Sequence, residues 1–120
     1  MTSRTEVGRR AEELAWSYLS ERGYRLVARN HRGDGGEVDI IAWDSDTLCF
    51  VEVRARSDAS KGDPLETIDR RKIARIGRAA RHWLNSFSGP WPEMRFDAVG
   101  VELAAGDTPA IRLIQGAFEL

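Results

Sequence analysis

The sequence predicts an α/β protein with a small mixed β-sheet and helices packed against it, in the order α-β-β-β-α-β-β. Three features indicate this class. Apolar residues recur at helical spacing near the N-terminus, two alternating segments then form a β-hairpin, and a long amphipathic helix leads into a further alternating strand. Hairpins join antiparallel strands and strand–helix–strand crossovers join parallel ones, so the sheet should contain both kinds of pairing.

Two helices are predicted. The first spans Thr5–Arg22, where apolar side chains recur three or four positions apart and Gly23 is placed to end the helix. Glu12 lies one position off this apolar stripe. The second helix is predicted to begin at Asp63-Pro64-Leu65-Glu66, an aspartate cap followed by proline at the first helical position, and to run to about Asn85.

The strands are predicted from alternation of apolar and polar residues. In chain order they are Tyr24–Arg29, Gly36–Ala42, Leu48–Arg56, Arg95–Leu103 and Ile111–Ile114. The glycine-rich segment Asn30–Gly36 is predicted as a flexible connection into the hairpin.

Length and composition describe one globular domain over residues 1–120, with a formal net charge of −1, 42% hydrophobic and 31% charged residues. No apolar run approaches a membrane span and the N-terminus lacks the apolar stretch of a signal peptide, so a cytoplasmic protein is expected. Cys49, the only cysteine, lies on an apolar strand face and is predicted to be a small buried side chain.

Carboxylates occupy the polar positions of the hairpin. Strict alternation places Glu37, Asp39 and Ile41 on one face of the first strand, opposite Val38, Ile40 and Ala42. If Asp44 faces Thr47 across the turn, the same register brings Asp39 opposite Glu52, with Cβ atoms roughly 4.5–5.5 Å apart. Two such carboxylates repel each other, so a divalent cation or a proton is expected between them.

An ordinary half-exposed hairpin also carries charged residues on its outer face, which is the alternative to a functional site. The block is unusual in its charge, however: six acidic residues and no basic one lie between Asp34 and Glu52, with Arg32 and Arg54 directly outside. This segregation favours a site over a solvated surface.

The chemistry predicted for this site is phosphodiester hydrolysis. Asp39 and Glu52 supply the one or two carboxylates that Mg²⁺ or Mn²⁺ needs when substrate phosphate completes the coordination, and the carbonyl of Val53 could add a neutral ligand. Arg54 on the same face would stabilise the charge that develops on phosphorus.

The second helix is strongly basic, which suits a polyanionic substrate. Arg71, Arg75, Arg78 and His82 form one stripe, which is either a solvated face or a phosphate-binding surface. The two histidines of the chain, His31 and His82, are far apart in sequence and lack partners at zinc-ligand spacing. They are therefore predicted to be loop and surface residues rather than metal ligands.

Three stretches carry a family resemblance: Gly8-Arg-Arg-Ala-Glu12-Glu-Leu-Ala15 with Tyr18-Leu19, Gly36-Glu-Val-Asp-Ile-Ile-Ala42, and Phe50-Val-Glu-Val-Arg-Ala-Arg56, with Lys72 and Arg95-Phe96-Asp97 as later matches. The chain resembles the YraN family of predicted endonucleases, which are similar to archaeal-type Holliday junction resolvases of the PD-(D/E)XK superfamily. The resemblance implies a restriction-endonuclease-like core and metal-dependent cleavage of DNA, including branched DNA, by a homodimer.

Carried over residue by residue, the resemblance implies metal ligation by Asp39 and Glu52, with Glu12 and Glu37 as candidates for further acidic residues at the metal. The candidate nucleic-acid contacts are Arg56, Arg71, Lys72, Arg75 and Arg78. The family usually has lysine where this chain has Arg54, and arginine stays protonated and cannot act as a general base. The alternatives are a catalytically inactive nucleic-acid-binding module of the same fold, or a partner-binding protein.

Overall fold

Five strands form one mixed sheet in the computed structural model, which describes residues 6–56, 62–103 and 108–120. The elements in chain order are helix α1 Glu6–Glu21, strands β1 Arg25–Gly33, β2 Gly36–Asp44 and β3 Thr47–Arg56, a short 3₁₀ helix Pro64–Thr67, helix α2 Arg70–Leu84, and strands β4 Glu93–Glu102 and β5 Ala110–Ile114. Apart from the 3₁₀ helix, this is the predicted order.

The sheet combines both kinds of pairing, as predicted. Its spatial order is β1-β2-β3-β4-β5. Strands β1–β2, β2–β3 and β4–β5 are antiparallel, while β3 and β4 are parallel because α2 lies between them in the chain. This mixed five-stranded sheet with two flanking helices is consistent with a restriction-endonuclease-like core.

The two helices cover opposite faces of the sheet. Ala15 and Leu19 of α1 belong to one apolar cluster with Val51 and Val99, whereas Ile76 of α2 belongs to a second cluster with Phe50 and its neighbours. Consecutive strand residues point to opposite faces, so a nearly continuous apolar run such as Leu48–Val51 supplies both clusters. Cys49 is fully buried, as predicted.

Helix α1 agrees with its sequence pattern. Thr5, the predicted first residue, lies outside the described residues. Gly23 has a φ of 92°, and the N–H groups of Gly23 and Tyr24 donate to the carbonyls of Ser20 and Leu19, which closes the helix. No helix within the described residues has the length and apolar character needed to cross a membrane.

The prediction of a flexible connection at Asn30–Gly36 is wrong. Strand β1 continues to Gly33, and the link to β2 is the two-residue turn Asp34-Gly35, with φ values of 55° and 78°. Positive φ at both central residues matches the twist of an antiparallel hairpin, so the glycine-rich sequence forms a tight turn rather than a loose loop.

The predicted start of the second helix is also wrong. The Asp63 side chain accepts a hydrogen bond from the Leu65 N–H (2.9 Å), but it caps only the 3₁₀ helix. The chain then becomes extended at Ile68, and the Asp69 side chain accepts from the Lys72 N–H (3.0 Å) to start α2. Two capping aspartates six residues apart therefore divide one predicted helix into two elements.

A buried polar network lies where β4 meets the β2–β3 turn. The fully buried Asp97 accepts from the Tyr24 hydroxyl (2.9 Å) and from Arg95 Nε (2.8 Å), and Arg95 Nη2 also donates to Asp44 (2.8 Å). Burial is the main reason that the pKa of Tyr24 is raised to about 12. This network joins Arg95 and Asp97 of β4 to Asp44 beside the hairpin turn and to Tyr24, the residue directly before β1.

We predict that Gly36→Ala lowers the free energy of unfolding by about 3 kcal/mol, because the added methyl group would clash with helix backbone, which cannot shift without disturbing the packing around it. A Cβ atom at Gly36 would lie 1.9 Å from the Arg75 carbonyl oxygen of α2. Urea unfolding measures the change. Gly89→Ala is the control, since no described atom lies within 4 Å of a Cβ there. Its φ of 86° disfavours alanine, so its free energy of unfolding should fall by only about 1 kcal/mol. Equal losses would contradict the close approach of β2 and α2.

Candidate active site

Asp39 and Glu52 come together at the open end of the β2–β3 hairpin. The ladder runs from Asp44 opposite Thr47 to Ile40 opposite Val51, which confirms the predicted register and brings Asp39 to the level of Glu52. The Asp39 carboxylate accepts a hydrogen bond from the Val53 N–H (2.8 Å). Asp39 is 5% exposed and Glu52 8%, so two carboxyl groups are buried side by side.

Strand β2 departs from strict alternation at this point. The prediction that Val38 shares a face with Ile40 and Ala42 is wrong: Val38 packs with Ile41 in the α2-side cluster, whereas Ile40 packs on the α1 side. On the neighbouring strand, Asn30 has a φ of 54°. The pairs Arg29–Ile40 and His31–Val38 place Asn30 beside Asp39, and the register shift of these two strands lies further along, between Leu26 and Ala28.

Burial and the neighbouring carboxylate together change the ionisation of Glu52. Desolvation, followed by the charge of Asp39 and a hydrogen bond to it, raises the pKa of Glu52 from 4.5 to about 8, against the smaller opposing effect of Arg54 and Lys72. Glu52 therefore retains a proton near neutral pH. A positive charge between the carboxyl oxygens of Asp39 and Glu52 would stabilise their ionised forms.

Arg54 is held on the same side of β3. Its Nη1 lies 3.4 Å from Glu52 Oε2, and its Nε donates to the Thr67 hydroxyl (2.7 Å). That hydroxyl donates in turn to the Pro64 carbonyl (2.7 Å). Thr67 was not among the predicted site residues, because a residue in a regular helix start carries no signal of a contact thirteen positions earlier.

These residues line one cleft of about 440 Å³ between the hairpin and α2. It combines the acidic pair with four cationic side chains, contributed by β1, β3 and α2. The cations are Arg32, Arg54, Lys72 and Arg75. A cleft with a buried anionic pair and several cations can hold a cation and a phosphate group together.

The further acidic candidates lie at the margin of this pair. Glu37 lines the cleft and forms an ion pair with Arg32 (3.6 Å). Glu12 is 5% exposed and lines an adjacent cavity of about 210 Å³ with Val53 and Arg54. Over the ranges 6–56, 62–103 and 108–120, no three His, Cys, Asp or Glu side chains form a group that could hold a metal ion.

The predicted nucleic-acid contacts divide into three groups. Lys72 and Arg75 line the cleft, and Arg71 and Arg78 are exposed on α2. Arg56 lies at the end of β3, half-buried and beyond the residues that line the cleft. The basic surface is therefore continuous with the acidic pair through α2.

The prediction of loop and surface residues is wrong for His31, which lies in β1, while His82 is exposed as predicted. His31 Nε2 and His82 Nδ1 lie 3.1 Å apart and join β1 to α2. Burial, and then the neighbouring His82, lowers the pKa of His31. This contact was not predicted, because the first strand was predicted to end at Arg29, two residues before His31.

The chain matches the model of a protein family described as "Uncharacterised protein family UPF0102" over residues 11–101. It is 46% identical to a UPF0102 protein of Chlorobium phaeobacteroides over 96 residues, covering 80% of this chain and 76% of that protein. It is 42% identical to one of Chlorobaculum tepidum over 106 residues (88% and 82%) and 41% identical to one of Nocardia farcinica over 112 residues (93% and 88%).

We predict that the free energy of unfolding decreases between about pH 5 and about pH 9, and that Glu52→Gln removes part of this decrease. The folded pKa of Glu52, about 8, is above its ordinary value of 4.5. Glu52 therefore makes its full contribution to the free energy of unfolding below pH 4.5, and this contribution is lost as the pH rises through about 8. The loss should be on the order of a few kcal/mol.

Urea unfolding at several pH values measures this effect. Glu93→Gln, which removes an exposed carboxylate at the start of β4, is the matched control and should keep the wild-type slope. A Glu52→Gln protein with the full wild-type slope would contradict the assignment.

Proposed function

The chain belongs to the uncharacterised protein family UPF0102, and we propose that it is a divalent-metal-dependent nuclease that hydrolyses phosphodiester bonds in DNA. The observation that carries this proposal is the buried Asp39–Glu52 pair in a cleft that also contains Arg54, Lys72 and Arg75. Burying two carboxyl groups together destabilises a fold unless a positive charge compensates them, which favours a functional explanation.

The donor set of this pair fits Mg²⁺ or Mn²⁺. Carboxylate oxygens are the ligands these ions prefer, and one or two protein carboxylates are sufficient when water and substrate phosphate supply the other ligands. The proton that Glu52 retains beside Asp39 marks a position where positive charge is favourable. Asp39 and Glu52 would hold the ion. When bound, it would polarise a phosphoryl oxygen and lower the pKa of water, so that hydroxide would be available to attack phosphorus near neutral pH.

The cationic side chains act on the substrate. Lys72 and Arg75 at the cleft, and Arg71 and Arg78 further along α2, attract the phosphate backbone and hold it by charge-assisted hydrogen bonds. The Arg54 guanidinium can bind non-bridging phosphate oxygens as negative charge increases on them. It cannot accept a proton, so in this proposal Arg54 stabilises charge and does not activate water.

The resemblance to the YraN family and to PD-(D/E)XK nucleases supports the same assignment and adds finer proposals. Glu12 and Glu37 would support the metal site from its margins, Arg56 would contact the backbone beyond the cleft, and branched DNA would be cut by a homodimer. The close positions of Glu12 and Arg54 around one cavity are in agreement with the first of these.

A catalytically inactive nucleic-acid-binding module is the second candidate, and Arg54 is the observation that favours it. Arginine replaces the lysine usual in the resembled family and has no proton-accepting form. The basic face of α2 would then bind DNA with a strong dependence on salt, and no metal would produce turnover.

We predict that Asp39→Asn abolishes Mg²⁺-dependent cleavage of plasmid, single-stranded and four-way-junction DNA, because it removes one of two ion-binding carboxylates. Asp46→Asn is the matched control: it removes an exposed carboxylate in the β2–β3 turn and should cleave like the wild type. Equal cleavage by wild type and Asp39→Asn would identify a contaminating activity. Absence of cleavage by the wild type, with DNA affinity reduced in Arg71, Arg75 and Arg78 variants, would support the binding module.

We also predict that Mg²⁺ or Mn²⁺ raises the thermal unfolding midpoint of the wild-type protein near pH 8, because ion binding relieves the repulsion between Asp39 and Glu52. The increase should be lost in Asp39→Asn and kept in Asp46→Asn. Differential scanning calorimetry with and without the ion measures it. The same increase in both variants would show that the ion binds elsewhere.

A further inference from the structure

Thr67 contacts the Arg54 side chain although it belongs to a different element. Arg54 Nε donates to Thr67 Oγ1 at 2.7 Å, and Thr67 Oγ1 donates to the Pro64 carbonyl at 2.7 Å. A hydroxyl has one proton and two acceptor sites. Because its proton is used by Pro64, the hydroxyl presents a lone pair to Arg54, and the direction of this short chain of hydrogen bonds is fixed.

The 3₁₀ helix that carries Thr67 is itself held in place. The Asp63 side chain accepts from the Leu65 N–H, and the buried Pro64 anchors the first turn. Asp63 also forms an ion pair with Arg112 of β5, the strand at the opposite edge of the sheet from β1. Thr67 therefore presents its hydroxyl from a fixed support rather than from a free loop.

Two contacts define the orientation of the Arg54 guanidinium. Nε is bound by Thr67, and Nη1 lies 3.4 Å from Glu52. A guanidinium is planar, so two contacts at different nitrogens fix its plane. Neither Thr67 nor Glu52 contacts Nη2 with its two N–H donors, so we assign the phosphate contact to this nitrogen.

We infer that Thr67 is a positioning residue that orients Arg54 for a phosphate oxygen. The inference rests on the proposed function. A lysine ammonium is a single point charge on a flexible stem and has no counterpart of the Nε–H group. It can approach Glu52 or Thr67, but two contacts cannot define an orientation for it as they do for a planar guanidinium.

The test compares Thr67→Val, which keeps the shape and removes the hydroxyl, with Thr67→Ser, which keeps the hydroxyl. Both are made in the wild-type and Arg54→Lys proteins, and kcat and KM are measured for DNA cleavage with Mg²⁺. We expect Thr67→Val to lower kcat by about 10-fold or more and to change KM little, because misorientation of a charge-stabilising group acts on the transition state. Thr67→Ser should restore kcat, and Thr67→Val should have no further effect beside Arg54→Lys.

Equal losses of kcat in both backgrounds would overturn the inference, since Thr67 would then act only on the fold. A second readout does not need cleavage: hydrogen exchange of the Arg54 Nε–H, followed by NMR. It should be slow in the wild type and in Thr67→Ser, and fast in Thr67→Val. Fast exchange in the wild type would overturn the inference whether or not the protein cleaves DNA.

If the wild type does not cleave but this exchange is slow, the proposed nuclease function fails and the positioning of Arg54 is tested by binding. The dissociation constant for duplex DNA with Ca²⁺ should then rise severalfold in Thr67→Val and stay at the wild-type value in Thr67→Ser. An unchanged constant in Thr67→Val would overturn the inference.

Discussion

The repulsion between two buried carboxyl groups is the constraint on which the rest of this structure depends. Hairpin register places Asp39 and Glu52 together on two neighbouring strands of the sheet. Their environment compensates in several ways: Glu52 retains a proton, Arg54 lies within ion-pairing distance, and the Val53 N–H donates to Asp39. Buried carboxyl pairs with a raised pKa are typical of functional sites, and the proposed nuclease function rests on this pair.

The interruption between the 3₁₀ helix and α2 gives this region two separate supports. The first carries Thr67 to Arg54, and the second begins at Arg70 and carries Lys72 and Arg75 to the cleft. In a continuous helix from Asp63, the positions of Thr67, Lys72 and Arg75 would all be set by one helix axis. With two extended residues between the elements, each cationic group is oriented independently relative to the acidic pair.

Local rules predicted the part of the site that depends on a short turn and on alternation. The two-residue turn at Ser45-Asp46 determines the register, and register alone brings Asp39 to Glu52. The misplaced features depend on distant contacts. Val38 changes face where β2 becomes irregular, and His31 meets His82 only because β1 continues past Asn30 and packs against α2. Thr67 is similar: its role depends on where a 3₁₀ helix ends, which capping patterns did not distinguish from a longer helix.

The Asp97 network has a mechanical consequence for the hairpin. Arg95 ties Asp44, at the turn of β2–β3, to the buried Asp97, while the acidic pair lies at the other end of the same two strands. The register of the two strands is thus supported near their turn by side-chain contacts as well as by the backbone ladder. Because that register brings Asp39 to the level of Glu52, the Arg95 contacts near the turn also help to hold the two carboxyl groups together.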